Sequence, residues 1–215
     1  VRNVAQNVAD LKAQVAANAK GVQELRKMID HFGLETVEAY MGHVQDNAAE
    51  SVRRVLDRLP EHSSCDYPTD TGQIIKVKIT IDRQKREATV DFTGTSPVMK
   101  NNFNAPEPVT RAAVLYVFRV MVENNIPMNA GCLRPITIIV PEGSMLKPQY
   151  PAAVVAGNVE TSQHVTNALF QALGALDRKP AVAASLDVGR RVREPVRGAV
   201  CLHGGEPGLL DELEK

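Results

Sequence analysis

Apolar side chains recur at three- and four-residue steps through the first sixty residues and stop at Pro60, so this chain must open with two long helices. Val4, Val8, Leu11, Val15, Val22, Leu25 and Ile29 form one stripe, with Asn18 in its single polar slot. Gly33 offers a left-handed stop. Leu34, Val37, Met41, Val44, Ala48, Val52, Val55 and Leu59 form a second stripe. Residues 1–60 are therefore expected as a helical hairpin, which on spacing alone reads equally well as a coiled-coil or bundle module.

Beyond Pro60 the period changes. Glu61 to Thr71 carries no apolar pattern and reads as loop. Ile75, Val77, Ile79 and Ile81 then alternate with Lys76, Lys78 and Thr80, the period of a half-buried strand. Asp82 to Lys85 supplies a turn, and Ala88, Val90 and Phe92 alternate in a second strand, giving an antiparallel hairpin. A buried helix is expected over Val109 to Val122, a short strand over Thr137 to Val140, and a third helical region over Thr161 to Leu176. The class is α+β: a mixed, mostly antiparallel sheet with flanking helices over residues 61–176. Residues 177–215, rich in Arg, Pro and Gly and carrying Arg190, Arg191, Arg193 and Arg197, are expected as a flexible tail.

Charge excludes several partners. The 215 residues carry 25 basic and 25 acidic side chains, so no electrostatic footprint for nucleic acid or an anionic membrane exists. Cys65, Cys132 and Cys201 are widely spaced without a paired CxxC, which favours free thiols and a reducing compartment over a disulfide framework. Charged or polar residues interrupt every apolar run before membrane length, and a cytoplasmic location is the expectation. No phosphate loop is present. The five histidines show no ligand-pair spacing, so no metal site is expected.

The stretch from Asn124 to Val165, NNIPMNAGCLRPITIIVPEGSMLKPQYPAAVVAGNVETSQHV, crowds amide and hydroxyl side chains around Gly and Pro. Asn102 and Asn104 suit either paired hydrogen bonds to a planar amide ring or Asx turns. Asn129 lies near Arg134, whose guanidinium suits a bidentate carboxylate clamp or a loop anchor. Asn158, followed by Thr161 and Ser162 at a helix start, suits anion binding by exposed N–H groups or an ordinary N-cap. These seven residues are the candidate substrate contacts. In DFTGTSP, Asp91 to Pro97, a strand-ending turn with Thr and Ser capping free amides is favoured over a ligand loop.

Several whole words carry a resemblance. IPMNAGCLRPI (Ile126 to Ile136), PEGSML (Pro141 to Leu146) and AVVAGNVETSQ (Ala153 to Gln163) resemble the hydantoinase B/oxoprolinase family. So do NVADLKAQVAANAKG (Asn7 to Gly21), YMGHVQDNA (Tyr40 to Ala48), VDFTGTSP (Val90 to Pro97) and NFNAP (Asn102 to Pro106), in the same order along the chain. VAANAKG and YMGHVQ are most similar to 5-oxoprolinases. The words end near Leu176, and Asp66 to Gly72 lacks one carboxylate of an acidic turn usual in the family.

The resemblance implies an ATP-dependent hydrolase of cyclic amides that opens 5-oxoproline to glutamate in glutathione metabolism. It implies ATP and a divalent metal for the parent enzyme, with none supported by these residues. The implied partners are a small cyclic-amide substrate, a hydantoinase A-like segment or subunit, and further copies in an oligomer. A chain opening at Val1 without Met reads as an internal fragment, inactive by itself. Hydantoin hydrolysis, ketone carboxylation and a noncatalytic assembly module are the alternatives.

Overall fold

The computed structural model describes residues 3–175. The flexible tail expected over 177–215 lies outside the described residues. Two compact units divide between Asn47 and Ala48, inside the second helix.

The first unit contains α1 (Val4–Phe32) and the leading part of α2 (Leu34–Leu56). Asn3 caps α1 by accepting Gln6 N–H at 3.1 Å, and Gly33, at φ +82°, ends it while donating its own N–H to Ile29 O at 2.8 Å. Both ends are where Asn and Gly chemistry puts them. Helix α1 buries no residue.

The second unit holds the core. Four strands, β1 (His62–Pro68), β2 (Ile74–Asp82), β3 (Glu87–Asp91) and β4 (Ile136–Ile139), lie side by side in sequence order. The first three are antiparallel, and β4 runs parallel to β3 with Val90 opposite Ile138. On β2, Ile75, Val77, Ile79 and Ile81 are all buried while Lys78 is exposed, as the period-two pattern requires. Each such side chain contributes about 1.5–3 kcal/mol on burial. Helix α3 (Glu107–Val120) packs against α4 (Ser162–Ala172), and α4 lies over β1 and β2. The end of α2 adds Ala48, Val52 and Leu56 to the same core.

Strand β1 falls where loop was expected. Its inner residues Ser63, Cys65 and Tyr67 are only half-buried, and they face the polar side of α4. Cys65 Sγ donates to Gln171 Oε1 at 2.8 Å, and Asn167 Nδ2 lies 3.4 Å from Tyr67 Oη. An edge strand packed on a polar helix face needs no apolar alternation, so its pairing with β2 leaves no hydrophobic signature in sequence.

Arg86 ties the β2–β3 turn to α2. Its guanidinium reaches Asp57 Oδ2 at 2.7 Å and Glu50 Oε2 at 3.1 Å. The Arg86 hydrogen bond holds the Asp57 carboxyl below the ordinary carboxylate range, and Asp57 in turn raises Arg86. Arg86 sits at φ +56°, an uncommon conformation for a residue with a Cβ.

Candidate functional site

Three loops of the second unit meet at the N-terminus of α4. Residues 69–73 form a turn in which Thr69 N–H donates to Gln73 O at 2.8 Å and Gly72 takes φ +85°. Beside it, DFTGTSP behaves as a strand-ending turn. Asp91 Oδ1 accepts Thr93 N–H at 2.8 Å, Thr95 Oγ1 accepts Lys76 N–H at 3.1 Å, and Ser96 Oγ accepts Ile74 N–H at 2.9 Å.

The third loop, residues 99–105, is held by one amide. Asn104 is fully buried; its Oδ1 accepts Met99 N–H at 2.8 Å, and its Nδ2 donates to Met99 O at 3.0 Å, Asn101 O at 3.1 Å and Ala153 O at 3.0 Å. All its hydrogen-bonding capacity is committed to main chain, and it fastens this loop to the one before α4. Ala156 N–H donates to Asn102 O at 3.0 Å, and Thr161 Oγ1 donates to Phe103 O.

Residues Gly157–Thr161 form a single π turn leading into α4. Such turns are rare and recur at functional sites. Gly157 has no alternative here: a Cβ would press on Asn104 O and stand 2.8 Å from Ala105 Cα. The absent side chain is what lets the two loops touch.

Between these loops lies a cavity of about 230 Å³ lined by Thr69, Asp70, Thr71, Met99, Phe103, Met145, Glu160, Thr161 and His164. Met145 and Thr161 are buried, Phe103 and Met99 half-buried, and the carboxylates of Asp70 and Glu160 belong to exposed residues at the rim. His164 stands against Tyr67 with ring centroids 5.7 Å apart, and its Nδ1 is buried without a hydrogen-bond partner. Ser63 Oγ and Thr110 Oγ1 share that state, which is uncommon for polar atoms in a packed interior. A wider opening of about 580 Å³, lined by Gly72, Gln73, Pro97, Val98, Lys100 and Asn101 among others, adjoins through the shared Met99.

The wall carrying Met145 is braced from outside. Lys147 Nζ lies 2.9 Å from both Glu142 Oε1 and Glu107 Oε2. Hydrogen bonding to Glu142 and then Glu107 raises the Lys147 ammonium, and Lys147 holds Glu142 below the usual carboxylate range.

Of the candidate contacts, the structure gathers Asn102, Asn104, Asn158, Thr161 and Ser162 around this junction. Thr161 lines the cavity; Asn158 is exposed and its carbonyl accepts Ser162 Oγ at 2.9 Å. Asn129 and Arg134 line neither opening. Asn129 caps a short 3-10 turn, Ala130–Leu133, accepting Gly131 N–H at 2.8 Å and donating to Pro127 O at 3.1 Å. Arg134 is exposed at the end of that turn. Sequence reasoning missed His164, Phe103, Met99 and the Thr69–Thr71 turn as a group, because three separate segments supply them.

No three His, Cys, Asp or Glu side chains among the described residues converge as ligands, and no glycine-rich phosphate loop opens a helix. Nor is any described helix long and apolar enough to cross a membrane.

Residues 1–192 match the Hydantoinase B/oxoprolinase family, so the match runs past Leu176, where the sequence words end. The chain is 46% identical over 189 residues to 5-oxoprolinase 1 of Arabidopsis thaliana, covering 81% of this chain and 15% of that protein. It is 44% identical over 183 residues to 5-oxoprolinase of Dictyostelium discoideum, covering 81% and 14%. It thus spans about one seventh of the length of these curated relatives. The ATP-dependent caprolactamase from Pseudomonas jessenii shares the fold, with a TM-score of 0.64 at 24% identity over 80% of this chain and 31% of that one. On the extent of the family match and the identity to these relatives, the chain belongs to the Hydantoinase B/oxoprolinase family.

Proposed function

We propose that this chain serves a 5-oxoprolinase-like, ATP-dependent hydrolase of cyclic amides, and that the cavity at the start of α4 receives the lactam ring. The observation that carries the site is the partnerless Nδ1 of His164 beside a cavity that combines apolar Met99, Phe103 and Met145 with hydroxyl and carboxylate groups. Ligand sites combine an apolar lining with a few placed polar groups. The relatives named 5-oxoprolinase and the caprolactamase support the substrate class.

Charge sets the orientation. Asp70 and Glu160 at the rim repel a carboxylate, whereas Lys100 lies on the adjoining opening beyond Met99. The ring of 5-oxoproline enters the inner cavity and its carboxylate turns toward Lys100. A small rotation of the imidazole then brings Nδ1 of His164 to the ring amide, while Phe103, Met99 and Met145 exclude water from it. Activation by ATP belongs to a hydantoinase A-like part, and a cytoplasmic oligomer of both parts is the working form.

Methionine methyl groups report on this site directly. Titrating the methyl-labelled chain with 5-oxoproline should shift the Met99 and Met145 signals together, with hydantoin a weaker ligand and acetone without effect. His164→Phe keeps the ring against Tyr67 but removes Nδ1, and should weaken binding roughly 5- to 10-fold, the worth of one hydrogen bond. Shifts confined to other methionines would refute the site.

A further inference from the structure

We propose that Met99 is the specificity-determining residue of this site: it forms the neck between the inner cavity and the adjoining opening, and admits cyclic amides whose ring-carbon substituent is no bulkier than a carboxylate. The inference rests on the reading that the inner cavity holds the ring.

The same two loops line both openings. Thr69, Asp70 and Thr71 face the inner cavity, and Gly72 and Gln73, next along that turn, face the outer one. Opposite them, Phe103 lines the inner cavity and Ser96 the outer, and among the described residues Met99 alone lines both. A substituent that leaves the ring for the outer opening therefore passes between Met99 and the turn.

The main chain around this neck is tied from every side. Ser96 N–H donates to Ile74 O at 2.9 Å and Ile74 N–H donates to Ser96 Oγ at 2.9 Å, which joins the loop to the residue after the turn. Behind Met99, Val98 N–H donates to Gly143 O and Met145 N–H donates to Ser96 O, both at 3.0 Å. Asn104 clamps Met99 itself, accepting its N–H at 2.8 Å and donating to its carbonyl at 3.0 Å. Across the passage Gly72 contributes no side chain, and a Cβ there would meet nothing within 4 Å. What narrows the neck is thus the Met99 side chain, half-buried and packed against the core.

Cavity size imposes the same limit. The inner space of about 230 Å³ suits one small ring, below the roughly 300–1,000 Å³ usual for larger ligands. A bulky substituent has room only in the outer opening of about 580 Å³, and must cross the neck to reach it. A methionine side chain is unbranched and yields under pressure, so the selection is graded rather than absolute.

The 215-residue chain tests this with uncharged ligands that share one ring: hydantoin, 5-methylhydantoin and 5-benzylhydantoin, each followed by the Met145 methyl signal. In the native chain the methyl compound should bind at least as well as hydantoin, and the benzyl compound roughly 10-fold more weakly, although a benzyl group adds affinity wherever it is freely buried. Met99→Ala should bring the benzyl compound level with hydantoin or above it. That change of ratio separates a neck from a general loosening, which would weaken all three ligands together. A native chain that binds the benzyl compound as tightly as hydantoin overturns the proposal without any variant, and so does a Met99→Ala chain, folded by circular dichroism, that keeps the native ratio. Should 5-oxoproline and hydantoin both leave Met145 unshifted, the reading of the cavity falls first and the neck falls with it.

Discussion

Replacing Asn104 by Asp changes one atom and should turn the strongest staple of the site into a pH-dependent fault. Oδ1 can still accept Met99 N–H, but the atom in place of Nδ2 becomes an oxygen facing three carbonyls at 3.0, 3.1 and 3.0 Å. Two effects add. Losing the amide donor leaves three part-buried carbonyls without that partner, at about 1–3 kcal/mol independent of pH. The buried carboxyl also resists ionisation, and burial of this depth raises a carboxyl by as much as about 3–5 units.

The folded state then holds a proton that the unfolded chain releases near pH 4, so stability falls as pH rises above that point, by up to about 1.4 kcal/mol per unit. From pH 4 to 7 the loss reaches about 4 kcal/mol, against roughly 5–15 kcal/mol for a whole domain. With no Trp in the chain, urea unfolding followed by circular dichroism at several pH values is the assay. Asn104→Ala supplies the control: a comparable pH-independent loss without the additional slope. If the Asn104→Asp and Asn104→Ala chains track each other from pH 4 to 7, the introduced carboxyl is not buried among those carbonyls and the staple reading fails.

Two further substitutions probe the frame. Gly157→Ala should cost about 1–3 kcal/mol by overpacking against Ala105, read as a fall in Tm of roughly 2–12 °C; Gly42→Ala, with nothing within 4 Å of its Cβ, should be neutral or stabilising. Arg86→Asn keeps a residue that tolerates positive φ but removes the guanidinium from Asp57. Because Arg86 lowers Asp57, the native chain gains stability above the ordinary carboxylate range and loses it as pH falls through the depressed value. The variant should unfold at lower urea at pH 7 and show a shallower acid decline, and an unchanged acid limb would show that the pair contributes nothing.

Strand β2 was legible because Ile75 to Ile81 alternate against lysine and threonine over a sheet with one solvated face. Strand β1 was not, because Ser63, Cys65 and Tyr67 answer to a polar face of α4, and sequence periodicity records only apolar neighbours. The same asymmetry governs the site. The density of amides from Asn124 to Val165 was visible in the sequence; whether each amide faces ligand or backbone was not, since either use demands the same side chain. His164 gave no signal at all, for an imidazole becomes informative only when its partner is missing, and a missing partner is a fact of packing.

Buried polar groups staple together the three loops that wall the proposed cavity. Loops are ordinarily the softest parts of a domain, and a pocket walled by three of them would lose affinity to the entropy of ordering those walls. Here Asn104 spans two loops, Thr161 Oγ1 joins α4 to Phe103, and Gly157 removes the one side chain that would hold the loops apart. These groups need not touch a ligand to set its affinity. Disturbing them should move binding by misplacing Phe103, Met99 and His164, so Thr161→Val should weaken 5-oxoproline while leaving Nδ1 of His164 available. Methyl shifts of Met99 and Met145 that persist at unchanged affinity in that variant would show that the cavity keeps its shape without the hydroxyl, and that the walls are held by Asn104 alone.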